Sequence, residues 1–272
     1  MSDVARSTAR NPHRRLNHRR TLRQHRHPTR RHHHRAPSRR PRRHSDPSGD
    51  VPLIEYERHA GYRPLGNRVP TGVLGHFRTY PLERPHGEWF SYRSPLTNIA
   101  ARVLEVVHGL PYPDIVSRDL WTPLGMEHDA DIMLDPLGQA VVEGGMSCTL
   151  RDLARFGLAY LGHGSVGGRN VLPTAWIDDT RWADDENRRA FSAGPEASDP
   201  GPWTSYRNAW WIDRPGEVLS GLGIFGQYCW VDREADVVIA RFSTYPTALP
   251  THLGLETLHG FRAIADHLAA LG

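Results

Sequence analysis

The run Gly144-Gly145-Met146-Ser147-Cys148-Thr149-Leu150-Arg151-Asp152-Leu153-Ala154-Arg155-Phe156-Gly157 decides how the rest of the chain is read. Two glycines make a turn, and Ser147 or Thr149 caps a helix expected to run to about Leu161. Asp152 falls in the first turn of that helix, where the macrodipole favours a carboxylate. Taken alone, a glycine turn feeding a capped helix requires no function.

Upstream lies a second informative stretch, Gly87-Glu88-Trp89-Phe90-Ser91-Tyr92-Arg93-Ser94-Pro95-Leu96-Thr97-Asn98. A turn leads into an aromatic triplet, and a Ser-Pro step opens a helix over residues 97–108, with Ile99, Ala100, Val103, Leu104, Val106 and Val107 at helical spacing and Gly109 as its stop. Tyr92 stands at the loop-to-helix junction. It reads either as a buried aromatic staple or as a hydroxyl pointing into a cleft. Residues 51–84 alternate Arg and aromatics with Gly and Pro, which predicts loop with a short helix over 73–80. A helix is expected over 114–121, followed by Pro123-Leu124-Gly125-Met126. The cluster His128, Asp129, Asp131 and Asp135 matches no metal-ligand template and reads as a polar loop, so no metal and no cofactor is expected.

Downstream, residues 162–170 read as a turn, 173–182 as a short helix and 183–203 as polar and irregular. Strands are expected over 206–213, 226–232 and 237–243, with Asp232-Arg233-Glu234-Ala235 as the hairpin link. Between the first two lies Leu219-Ser220-Gly221-Leu222-Gly223-Ile224-Phe225-Gly226-Gln227, whose glycines allow a close backbone approach. A closing amphipathic helix is expected over 252–271. Helices first, then an antiparallel meander and a covering helix, give an α+β class.

The 272 residues are ample for a buried core. The formal net charge of +4 averages two unlike segments. Residues 1–50 hold 15 Arg against three Asp, a balance of +12, and the remainder holds 19 Arg against 27 acids, a balance of −8. All 34 basic residues are Arg, which fits the codon usage of a GC-rich genome and removes every mechanism that needs a lysine amine. Cys148 and Cys229 give neither a disulfide framework nor a metal spacing and read as buried small apolar residues. No apolar run is long enough to span a membrane, and the N-terminus lacks a signal-peptide apolar region, so a cytoplasmic protein is expected.

Residues 1–49 hold almost no large apolar side chains beyond Leu16 and Leu22, and are expected to be disordered. Three readings of them stay open: a basic tail with sequence-independent phosphate affinity, a His tract (His32-His33-His34) with adventitious metal affinity, and GC-rich DNA read in a shifted frame.

Four motifs in order then carry a resemblance: Tyr92-x-Ser94; Pro123-Leu124-Gly125-Met126; Gly144-Gly145-Met146-Ser147-x-Thr149-x-x-Asp152-Leu153-Ala154-Arg155; and Ser220-Gly221-Leu222-Gly223-Ile224. Together they resemble the serine β-lactamase and DD-peptidase superfamily, and within it class C β-lactamase-related esterases and 6-aminohexanoate-dimer hydrolases. The likeness runs from about Val51 to Gly272. It implies a β-lactamase/transpeptidase-like fold, an antiparallel sheet flanked by helices, acting on a small ester or amide by acyl-enzyme chemistry. By that resemblance Tyr92 is the proton relay and Ser94 the third position of its box. Ser220 and Gly221 match the sheet-edge box, and the Ile224 N–H matches an oxyanion donor. Trp211 and Glu143 match cleft-lining positions.

One departure is large. The resemblance implies a Ser-x-x-Lys supplying nucleophile and base, and this chain has no lysine. The acyl-accepting serine, the ammonium that would stabilise a tyrosinate and the nucleophile's own N–H are missing together. Losing such a unit costs about 10⁶-fold in rate. The expectation is therefore an incomplete hydrolase domain over residues 50–272, its N-terminal part missing through truncation or a frame disruption, and inactive as it stands. The alternative, from another class, is a non-catalytic ligand-binding protein whose basic arm docks to nucleic acid or another anion without sequence specificity. Oligomeric state is left open.

Overall fold

The computed structural model describes residues 23–25, 53–79 and 87–271. In chain order the elements are β1 (Arg23–His25), α1 (Leu53–His59), α2 (Gly72–Phe77), α3 (Pro95–His108), α4 (Tyr112–Val116, continued by a π-helical turn Ser117–Trp121), β2 (Asp131–Met133), β3 (Met146–Ser147) and α5 (Leu150–Leu161). They continue with β4 (Ser165–Val166), β5 (Arg169–Asn170), α6 (Thr174–Trp182), α7 (Asp185–Ala193), β6 (Ser205–Arg207), β7 (Trp210–Ile212), β8 (Val218–Gly223), β9 (Gln227–Asp232), β10 (Val237–Arg241) and α8 (Thr251–Ala269). The main sheet is antiparallel throughout, in the order β10-β9-β8-β7-β6.

The capped helix forms as the sequence dictates, and Thr149 rather than Ser147 is its cap. The Asp152 N–H donates to Thr149 Oγ1 (3.2 Å) while that hydroxyl donates to Asp152 Oδ2 (2.8 Å), a reciprocal closure of the first turn. The Asp152 side chain is fully buried, and its carboxylate also accepts the backbone N–H groups of Glu127 (2.6 Å) and His128 (3.2 Å). That fixes the turn after Pro123-Leu124-Gly125-Met126 to the start of α5, and Leu124 and Met126 pack with Val116, Trp121, Ala130 and Ala159 in one core cluster. Gly145 is there because a Cβ would lie 2.2 Å from the Val141 carbonyl oxygen. Gly157 is there because a Cβ would lie 2.6 Å from Val238 Cγ1, so α5 sits directly on β10 and β9.

Alternation along the sheet divides the core in two. Trp210, Ile212, Leu219, Cys229 and Val231 meet Tyr160 and Ile177 on the α5 side. Val218, Tyr228 and Trp230 meet Phe261 and Ala265 of α8 on the other. A further cluster, Tyr56, Ala60, Val73 and Val141, joins α1 and α2 to the segment before Gly144.

The α+β class stands, with several local corrections. Residues 51–84 hold α1 as well as the shorter α2, because Tyr56 of α1, with Ala60 just beyond its end, is buried against Val73 and Val141. The strand expected over 206–213 is a hairpin: Asn208 and Ala209 take φ of 51° and 68°, the left-handed pair that a two-residue turn needs. The glycine-rich stretch at Ser220 is itself a strand, β8. Residues 183–203 include α7, capped by Asp184, whose side chain accepts from the Asn187 N–H (2.7 Å). Cys229 is buried as expected, but Cys148 is only partly so. In the loop of His128, Asp129 and Asp131, Asp135 is a turn carboxylate, accepting from the N–H groups of Val73 (3.0 Å), Leu137 (2.8 Å) and Gln139 (3.0 Å). Arg23–His25, in the segment expected to lack structure, pairs in parallel with β2, whose edge offers unpaired backbone groups. The rest of that segment, His32-His33-His34 included, lies outside the described residues, as does Tyr80. Among the described residues no helix is long and apolar enough to cross a membrane.

The Asp152 carboxylate yields a stability prediction. Burial raises its pKa, but the Glu127 amide, the Thr149 hydroxyl, the His128 amide and the Arg155 charge outweigh burial and hold it below the ordinary value. A depressed carboxylate contributes stability that is present above its unfolded pKa of about 3.9 and is lost as pH falls through the folded value. Asp152→Ala strands several buried donors and should cost about 3 kcal/mol or more in urea unfolding at neutral pH. Asp152→Asn should flatten the acid limb of the stability curve. A loss below about 1 kcal/mol in the alanine variant would contradict this role.

Candidate active site

The loop before α3 is held by α7 and the turn that follows it. The Phe90 N–H donates to the Ala190 carbonyl (2.9 Å), and Glu196 Oε1 accepts both the Tyr92 N–H (2.8 Å) and the Ser91 hydroxyl (3.3 Å). So anchored, the Tyr92 ring stacks on Trp211 of β7 (centroids 5.7 Å, planes 29° apart) and meets Tyr206 of β6 edge-on (5.6 Å, 86°). Phe90, Phe191 and Trp203 complete the aromatic wall around Trp211. Tyr92 nevertheless remains 39% exposed. It is packed on one side and open on the other, so it is not the buried staple of the first reading. Ser94 sits at the N-cap of α3 with no side-chain capping bond.

A second group forms around Glu143. Asn98, buried in α3, accepts the Val142 N–H at Oδ1 (2.7 Å) and donates from Nδ2 to the Tyr56 hydroxyl (3.0 Å). Burial pushes the Glu143 carboxyl up to about 7, against hydrogen bonds from Tyr56 and Asn98 that pull it down. Its Oε2 is buried with no hydrogen-bond partner. Beside it, a Cβ at Gly144 would lie 3.3 Å from the Tyr62 hydroxyl. Desolvation first, and then the charges of Glu143, Glu57 and Tyr92, raise the Tyr62 phenol.

β8 supplies the third part. Ser220 pairs with Trp211 on one side and Trp230 on the other and is fully buried, its Oγ without a hydrogen-bond partner. Beyond Ser220, Gly221, Leu222 and Gly223 pair only with β9, the pairing with β7 ending at Trp211–Ser220. Ile224 follows in the turn to β9, 56% exposed, and its N–H has no hydrogen-bond partner among the described residues. At roughly 3.3 Å per residue it lies up to about 13 Å along the chain from Ser220.

Of the expected site residues, Tyr92, Trp211 and Ser220 therefore adjoin, with Gly221 next along the strand. Glu143 lies in the separate group around Asn98 and Tyr56, and Ile224 stands apart at the end of β8. Sequence reasoning missed Asn98, Tyr56, Tyr62, Tyr206 and Glu196. Only Asn98 carried a signal, as a polar residue inside an apolar helix. Among the described residues no three His, Cys, Asp or Glu are grouped to hold a metal ion; His128 instead lies 3.7 Å from Asp152.

The 6-aminohexanoate-dimer hydrolase of Paenarthrobacter ureafaciens is 34% identical over 208 residues, which cover 74% of this chain and 50% of that protein. The chain thus spans about half the length of the curated relative it matches. A Bacillus anthracis structure assigned as a 6-aminohexanoate-dimer hydrolase superposes with a TM-score of 0.69 at 24% identity, covering 79% of this chain and 54% of the other. A Bacteroides dorei DSM 17855 structure assigned as a beta-lactamase superposes with a TM-score of 0.53 at 19% identity, covering 78% and 72%. At these identities the two structures speak for the fold alone. The family described as Beta-lactamase matches residues 59–259, more than half of the chain. The chain belongs to the beta-lactamase family.

Proposed function

We propose that residues 50–272 carry the tyrosine-and-strand part of a β-lactamase-like serine hydrolase that cleaves a small ester or amide through an acyl-enzyme, and that this chain by itself does not complete the reaction. The observation that supports this most is the stacking of half-exposed Tyr92 on Trp211, which pairs with Ser220 of β8. It gathers the tyrosine box and the strand box at one place. The matched relative's name adds an amide as the bond to be broken.

In the full reaction a serine oxygen adds to the acyl carbon and the bond to the leaving alcohol or amine breaks. The proton from the serine travels through the Tyr92 hydroxyl to that leaving group, and water then releases the acid. The Ile224 N–H is one donor to the oxyanion, and Gly221 offers backbone to the acyl chain. Ser94 closes the tyrosine box, while Trp211 and Glu143 line the cleft, apolar and acidic respectively. The buried Ser220 hydroxyl serves this site from within the strand. What the chain does not hold is the nucleophile with its base, since it contains no lysine.

Purified chain should therefore leave p-nitrophenyl acetate and nitrocefin unhydrolysed above the buffer rate. Turnover abolished by Tyr92→Phe would overturn this. Glu143 gives a second prediction, with the sign set by its raised pKa. Its neutral form is favoured in the fold, so the contribution is complete below about pH 4.5 and is lost as pH rises through about 7. Thermal melts from pH 5 to 8.5 should show a loss on the order of 2–3 kcal/mol that Glu143→Gln removes. A wild-type curve flat across that range would refute the burial of this carboxyl.

A further inference from the structure

The turn from β8 to β9 is held in a conformation that its sequence does not favour. Gly223 pairs with Gln227, so Ile224, Phe225 and Gly226 make the turn. Phe225 takes a φ of 62° and Gly226 one of 86°. The left-handed region is natural to Gly226, but a bulky aromatic enters it only where contacts from elsewhere impose it. Core packing does not impose it, since the Ile224 and Phe225 side chains are both exposed.

The contacts come from residues 241–248, which run from the end of β10 toward α8. The Phe225 N–H donates to the Ala248 carbonyl (2.8 Å), and the Phe225 carbonyl accepts the Tyr245 N–H (3.0 Å). The Gln227 amide pairs with the Ser243 backbone, donating to its carbonyl (2.6 Å) and accepting its N–H (3.2 Å). Arg241 donates to the Gly226 carbonyl (3.2 Å), and a Cβ on Gly226 would lie 2.6 Å from the Tyr245 ring. The Tyr245 hydroxyl then pins the segment. It accepts from Arg241 (2.7 Å), donates to the Leu253 carbonyl (3.1 Å) and bonds the Thr257 hydroxyl, the last two partners belonging to α8. Both backbone polar groups of Phe225 are thus used, while the neighbouring Ile224 N–H is left without a hydrogen-bond partner among the described residues.

We infer that residues 241–248 are a strap, pinned by the Tyr245 hydroxyl, that holds the Ile224 N–H unpaired and in a fixed direction. The inference rests on the function proposed above, in which that N–H donates to the oxyanion. A donor of that kind acts best when its direction is set before charge develops, so that no reorganisation accompanies the reaction. Tyr245 is on this account a positioning residue: it touches the turn and α8, and acts through Ile224.

Nuclear magnetic resonance of the full chain tests this. Labelling with 15N-isoleucine leaves nine backbone amides to resolve, and Ile224→Val assigns the one that matters. Relaxation should give Ile224 an order parameter near the rigid value of about 0.85, falling below about 0.6 in Tyr245→Phe, which removes only the pin. In the same variant the N–H groups of residues 225 and 245 should lose about tenfold or more of their protection from hydrogen exchange. Thermal melts separate positioning from bulk stability, and the midpoint should fall by no more than about 5 °C. Tyr160→Phe, which removes a hydroxyl bonded to Trp176 on the opposite face of the sheet, should leave Ile224 rigid. An Ile224 amide that is mobile in the wild-type chain, stays rigid in Tyr245→Phe, or is loosened equally by Tyr160→Phe would overturn the inference. Turnover of p-nitrophenyl acetate by the chain alone instead refutes the proposed function, whatever the amide does.

Discussion

The Asp152 carboxylate is the interaction on which the other parts depend. It is fully buried, and its oxygens take up the Glu127 and His128 amides, the Thr149 hydroxyl and, at 3.4 Å, the Arg155 guanidinium. A buried carboxylate with this many donors is strongly favoured over one left bare. Through it the turn at residues 123–128 is locked to α5. Gly157 then lets α5 lie on β9 and β10, and β8 follows from β9 by strand pairing. The placement of Ser220, Trp211 and hence Tyr92 is the far end of that chain of contacts.

The site inherits its character from this frame. Tyr92 is not free to wander: its amide is held by Glu196 and its ring lies between Trp211 and Tyr206. Glu143 is held by a different route, through Asn98 and Tyr56, and burial raises its pKa. The result is an aromatic group around Trp211 and a carboxyl group around Asn98, beside an apolar helix face that the described residues leave open.

The parts of the fold legible in the sequence were those with local causes. The Thr149 cap with Asp152, the Ser94-Pro95 start and Gly109 stop of α3, and the strands at Tyr228 and Val238 follow from capping, left-handed glycine and alternation. The parts that were not legible depend on distant partners. α1 is amphipathic only in the sense that Tyr56 and Ala60 meet Val73 and Val141. The turn at Asn208-Ala209 lacks the glycine that usually marks a hairpin. The resemblance pointed to Tyr92, Trp211 and Ser220 as site residues, but Glu196 holds the Tyr92 loop through a tertiary contact that no spacing announces. The helical period of α3 was evident, yet nothing in the sequence said that its apolar stripe points outward. That is a property of what α3 packs against, here Tyr56 and Val142 through Asn98.

The central claim is that this chain holds the tyrosine, the strand and the cleft of a serine hydrolase without an activated serine. Intact-mass spectrometry after incubation with a fluorophosphonate tests it most directly, because that probe adds covalently only where a serine hydroxyl is activated. The account predicts an unmodified mass for the chain alone. A stoichiometric adduct mapped to any serine of the chain would contradict it.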